Sequence, residues 1–159
     1  MVFLSVFFRT LGFLSALLIF LILITILLHF SNSLEKKQFI MTEGIPNSNN
    51  VIGNINLNGP IFNNSNVLGN NFYDYINPAQ VKSYLEELKE LQIDILIINI
   101  NSPGGTVSAT AELEQIIYEF KKSTNIKIYF FTKEILASGG YWVATTADKI
   151  FASYGSIIG

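Results

Sequence analysis

Residues 93–105 read IDILIININSPGG. Ile93–Ile100 is nearly continuous, apolar and β-branched, as a strand buried on both faces is. Asn101–Gly105 turns the chain. Val107–Phe120 then reads as an amphipathic helix, with Leu113, Ile116, Ile117 and Phe120 on its apolar side.

The same alternation continues in both directions. Downstream, Asn125–Phe131 (NIKIYFF) reads as a strand, about Ser138 to Thr146 as a short helix, and Lys149–Ala152 as a last strand. Upstream, Val51–Leu57 (VIGNINL) alternates with period two, as a half-buried strand does. Gly59-Pro60 breaks it, and residues 63–77 form an asparagine-rich loop. Asn77-Pro78 opens a helix: asparagine caps, proline fits the first turn, and Gln80 occupies the capping-box position. Val81, Tyr84, Leu85 and Leu88 share one face of it. Strands alternating with helices predict an α/β fold, with a mostly parallel sheet and right-handed crossovers.

The chain has 159 residues, half of them hydrophobic and 14% charged. That excludes intrinsic disorder, and one domain is the default for this length. The apolar excess sits at one end, because no charged residue occurs from Thr10 to Leu34. Residues 11–28 read LGFLSALLIFLILITILL, long enough to cross a hydrocarbon core as a helix. A signal peptide has a shorter apolar region and a small-residue cleavage site, and neither is found here. The predicted partition is a tail at 1–10, a transmembrane helix at 11–30 in contact with lipid, a linker at 31–50 and a domain at 51–159. Arg9 on one side and Lys36 and Lys37 on the other leave the basic bias close to even. A short tail before the helix suits an N-in anchor, with the domain on the extracytoplasmic side of the plasma (inner) membrane.

The absences prune the chemistry. There is no cysteine, which excludes thiol catalysis, disulfides and cysteine zinc sites. The one histidine, His29, lies in the apolar run, so a soluble Ser-His-Asp triad is not available. A net charge of −2 with a single arginine gives no nucleic-acid footprint. No cofactor and no metal site is expected.

Two glycine turns follow strands. In Asn101-Ser102-Pro103-Gly104-Gly105, the glycines let the backbone approach a ligand and aim N–H groups at it, as an oxyanion site requires. The same residues also suit a plain βα turn. In Ala137-Ser138-Gly139-Gly140-Tyr141, Ser138 sits between a strand and a helix, flanked by small residues. It is either a helix N-cap or an exposed hydroxyl with the logic of a nucleophile elbow, though G-x-S-x-G is absent.

Taken together, Gly59-Pro60-Ile61, Ile98–Gly105, Leu136–Trp142 (LASGGYW) and Ala147–Ile150 (ADKI) resemble the S49 peptidase family, the signal peptide peptidase A type. The resemblance runs from about Val51 to Gly159 and implies a ClpP/crotonase-like fold. It makes Ser138 the nucleophile and the backbone N–H groups of Gly104 and Gly139 the oxyanion hole. It implies a peptide substrate, typically remnant signal peptides, cleaved through an acyl-enzyme. It also implies assembly with copies of the same chain.

The family's general base is a lysine well downstream of the serine, expected here beyond Gly159. Lys133 and Lys149 are weak substitutes. Ser102 reads as a turn residue, and Asp94 and Asp148 as residues that begin strands. The chain by itself is therefore expected to be inactive. Alternatives are an inactive peptide-binding or scaffolding relative and a crotonase-type acyl-CoA enzyme. A soluble ClpP-like subunit needs a histidine after the serine, and none occurs.

Overall fold

The computed structural model describes residues 2–32, 39–40, 42–45, 50–64 and 74–159. The chain forms two units, Met1–Lys37 and Gln38–Gly159.

The first unit is helix α1, Val2–Asn32. It begins before the expected 11–30 span and takes in the tail, because nothing between Val2 and Thr10 breaks a helix. Val6–Ile26 is long and apolar enough to cross a membrane. Three hydroxyls are satisfied within the helix: Thr10 Oγ1 donates to Phe7 O, Ser15 Oγ to Gly12 O, and Thr25 Oγ1 to Ile22 O. A helix that pairs its own polar groups suits apolar surroundings.

The second unit runs β1 (Ile52–Asn58), α2 (Pro78–Glu90), β2 (Ile95–Asn101), α3 (Val107–Thr124), β3 (Lys127–Thr132), β4 (Ile135–Leu136), α4 (Gly139–Ala144), β5 (Lys149–Ala152) and β6 (Ile157–Ile158). The main sheet has the order β1-β2-β3-β5, and every pair is parallel. The mostly parallel α/β architecture is thus the observed one. Two strands too short to show periodicity, β4 and β6, pair separately.

The helices start and stop where the local chemistry directs. Asn77 caps α2, its Oδ1 accepting from Ala79 N at 2.8 Å and Gln80 N at 3.3 Å. Gln80 does not complete a capping box; its amide donates to Tyr84 OH at 2.6 Å. Thr106 caps α3, and Asn125 ends it in the left-handed conformation.

The core lies on one side of the sheet. Ile55, Leu57, Leu96, Ile98, Ile100, Ile128 and Phe130 pack against Val81, Leu85 and Leu88 of α2 and Leu113 and Ile117 of α3. The other face corrects the expectation of burial on both sides. Along β2, buried residues alternate with half-buried ones. That second face carries an asparagine ladder, in which Asn99 Nδ2 donates to Asn54 Oδ1 at 2.7 Å and Asn56 Oδ1 at 2.9 Å. Amides that bond to one another there let the face meet water, whereas leucines would not. The folded unit also begins earlier than residue 51. Phe39 packs edge-on against Tyr84, and its N–H donates to Glu87 Oε1.

Candidate active site

The site begins at the carboxyl end of β2, where parallel sheets place ligands. Asn101 Oδ1 accepts from Lys133 N, Glu134 N and Thr132 Oγ1, at 3.2, 3.0 and 3.1 Å. This one carboxamide ties the end of β2 to the β3–β4 turn. Ser102 continues the tie through its backbone: its N–H donates to Ile135 O at 2.8 Å, and its carbonyl accepts from Ala137 N at 3.0 Å. Two turns distant in sequence are thereby held side by side.

Ile61 straps the turn from the other side. Its N–H donates to Gly104 O and its carbonyl accepts from Thr106 N. The side chain is fully buried, and a Cβ on Gly105 would collide with the Ile61 carbonyl. Gly105 is a glycine for want of space.

Ser138 has φ 50° and ψ −122°. For a non-glycine residue this is strained, costing about 1–3 kcal/mol, and such strain gathers at functional sites. The side chain makes no capping hydrogen bond, so Ser138 is the N-cap of α4 by position only. The backbone around it is fully tied. Its N–H donates to Gly159 O at 2.6 Å, its carbonyl accepts from Trp142 N, and Gly159 N donates to Leu136 O. The structure thus resolves what the residues alone left open: the serine hydroxyl is presented and is not spent on the helix.

The two glycine turns meet. Gly104 has φ +98°, and a Cβ built on it would lie 3.0 Å from Ser138 Oγ and 2.7 Å from Gly139 N. Ser102 behaves as a turn residue, its buried Oγ accepting from Gly104 N at 3.2 Å. That bond engages the N–H expected to serve as an oxyanion donor. The neighbouring Gly105 N–H and the Gly139 N–H donate to no oxygen among the described residues. Geometry therefore points to Gly105 beside Gly139 as the pair of available donors, with Gly104 as the residue that allows close approach.

No lysine among the described residues makes a hydrogen bond to Ser138. Lys133 meets the site only through its backbone N–H, and Lys149 begins β5. Asp148 serves the fold. Its carboxylate accepts from Ile128 N at 2.9 Å and pairs with Lys121 and Lys127, each at 3.1 Å. These groups, the Ile128 N–H foremost, hold its pKa down to about 2. Two surface clefts among the described residues are lined by residues of β1, α2 and their flanking loops, and neither includes Ser138.

Residues 120–159 match the family described as Peptidase family S49. That match, with the relatives below, supports an S49 family fragment. The matched segment holds Ser138, α4 and the ADKI strand. Over 130 residues the chain is 33% identical to a protein of Enterococcus faecium named as signal peptide peptidase SppA, covering 78% of this chain and 35% of that protein. It is 34% identical over 101 residues to a protein of Methanocaldococcus jannaschii named as a protease, covering 55% and 32%. The chain thus spans about a third of the length of these curated relatives. A solved membrane-bound stomatin-specific protease, a lysine-to-alanine mutant in complex with a substrate peptide, superposes with a TM-score of 0.51. That alignment covers 67% of this chain and 43% of the other at 19% identity, a likeness of fold. The mostly parallel α/β fold expected from the sequence is the one observed, and this neighbour shares it.

Sequence reasoning missed three things about the site: the Asn101 bracket, the Ile61 strap and the engaged N–H of Gly104. Asn101 had a signal, a polar residue ending an apolar strand directly before a glycine turn. The other two depend on which segments cross in space.

Proposed function

We propose that this chain is a membrane-anchored serine peptidase of the signal peptide peptidase A type, acting on remnant signal peptides or other membrane-associated peptides. The observation that carries this reading is Ser138, held at φ 50° with an uncommitted hydroxyl beside Gly104. The S49 match and the protease relatives support it. The substrate peptide bound to the structural neighbour supports a peptide substrate.

Ser138 Oγ attacks the scissile carbonyl carbon and gives its proton to a neutral lysine amine. The carbonyl oxygen becomes negative, and the N–H groups of Gly139 and Gly105 bond to it. Collapse of the tetrahedral species breaks the C–N bond, and the leaving amine takes the proton back from the lysine. Water then hydrolyses the acyl-enzyme by the same route. The base is assigned to a lysine outside the described residues, because none of the described lysines bonds to Ser138. In this reading α1 anchors the domain on the extracytoplasmic side of the inner membrane, in an assembly of like chains; the apolar length of Val6–Ile26 supports the anchor.

A peptide boronate tests the nucleophile, since boron forms a tetrahedral adduct with a serine hydroxyl. The full chain in detergent is expected to bind it, and Ser138→Ala to abolish binding. Binding that survives the substitution, or no binding at all, overturns the reading. The base is tested separately. The chain is expected to show no peptide turnover; turnover abolished by Ser138→Ala would place the base within it.

A further inference from the structure

Thr110 stands near the start of α3, shortly after the Gly104–Gly105 turn. It is 1% exposed, and its Oγ1 has no hydrogen-bond partner among the described residues. A helical threonine commonly bonds back to the carbonyl one turn earlier. Here that carbonyl, on Thr106, accepts the N–H of Thr110 at 2.9 Å, and the hydroxyl does not share it. The hydroxyl packs against α4 instead. A Cβ built on Gly139 would collide with Thr110 Oγ1, and would lie 3.1 Å from Thr110 Cγ2 and 3.3 Å from Gly105 N.

The Thr110 hydroxyl, the Gly105 N–H and the backbone of Gly139 therefore meet along one seam. It lies on the Gly139 side of the contact between Gly104 and Ser138. Among the described residues none of the three donors of this seam has an acceptor: Gly105 N–H, which is exposed, and Gly139 N–H and Thr110 O–H, which are buried. Buried polar groups are nearly always paired, and an unpaired one calls for an explanation. Valine has the same shape and would fill the space without stranding a donor. Packing alone thus accounts for the methyl of Thr110 but not for its hydroxyl.

We infer that Thr110 is a positioning residue for the oxyanion pocket, its hydroxyl supporting the Gly105 and Gly139 N–H groups as charge develops beside Ser138. This rests on Ser138 being the nucleophile. A hydroxyl with no fixed partner turns toward a new negative charge without breaking a bond. Because the hydroxyl is buried, its dipole is screened less than one in water would be. The hydroxyl does not contact the substrate. It acts through Gly139, whose Cα rests against it.

The test compares Thr110→Val, which keeps the shape, with Thr110→Ser, which keeps the hydroxyl. Each full-length variant in detergent is titrated with the peptide boronate. Its thermal midpoint is recorded, and so are the amide shifts of Gly105 and Gly139 in the adduct. Thr110→Val is expected to weaken boronate binding about ten-fold, less than the 10²–10³ lost with a direct oxyanion donor. Its midpoint should hold or rise, and the Gly139 amide should move less on binding. Thr110→Ser should bind close to wild type even where its midpoint falls. Wild-type binding by Thr110→Val overturns the inference, and so does weakening in both variants that tracks loss of stability. These outcomes are distinct from failure of the nucleophile reading. In that case wild type itself does not bind, or Ser138→Ala still does, and the role of Thr110 falls with it.

Discussion

At the scale of single residues, the site stores strain where chemistry is proposed. Ser138 adopts a backbone conformation that glycine reaches without a Cβ clash. Ser138→Gly is therefore expected to raise stability in chemical denaturation, by up to about 1 kcal/mol, while removing the hydroxyl. A loss of stability would show that the serine side chain itself holds the turn. Gly104 is the reverse case. At φ +98°, with Gly139 N 2.7 Å from any added Cβ, Gly104→Ala meets both backbone strain and collision. It should destabilise by about 2–4 kcal/mol, read as a lower urea midpoint with unchanged slope. The glycine spacing was legible in the sequence because the residue types are so restrictive. Which N–H remains available was not, since that depends on Ser102 Oγ reaching Gly104.

At the scale of elements, two local devices hold the layers in register. Asn77 satisfies two orphan N–H groups at the start of α2, and Asn77→Ala should cost about 1 kcal/mol. Asp148 joins β3 to the start of β5 through Ile128, with Lys121 and Lys127 beside it. Its pKa is lowered from 3.8 to about 2 in the fold. The folded state therefore binds this proton less readily than the unfolded chain. The stabilisation is fully present above about pH 4 and is lost as pH falls toward about 2. Asp148→Asn should lower stability at neutral pH and flatten the pH dependence in that window. An unchanged acid limb would remove the carboxylate from this role. The sequence marked Asp148 only as a residue beginning a strand, because its three partners come from α3 and β3.

At the scale of the whole molecule, the apolar excess divides between α1 and a core on one side of the sheet. Along α1 the described side chains from Val6 to Ile26 are exposed, an arrangement that suits lipid far better than water. Residues 1–37 fused to a soluble reporter are expected to carry it into the membrane fraction and to resist alkaline carbonate. Recovery of the fusion in the soluble fraction would overturn the anchor. The domain boundary drawn from composition at residue 51 falls late, because Phe39 belongs to the packed unit. A lone phenylalanine in a polar stretch carries no periodicity, so only its contact with Tyr84 reveals it.

The amino-acid sequence by itself determined the elements and their class. IDILIINI, the glycine turns and the amphipathic stretches are local patterns, and local sterics and hydrophobic period translate them directly into strand, turn and helix. It also determined the chemistry available, by lacking cysteine and a soluble histidine. The tertiary structure alone decided that SPGG meets ASGGY, that Ser138 is held at φ 50°, and that among the described residues one face of β2 is buried and the other half-buried. Those outcomes arise where parallel crossovers bring distant segments together, and no window of neighbouring residues carries that information.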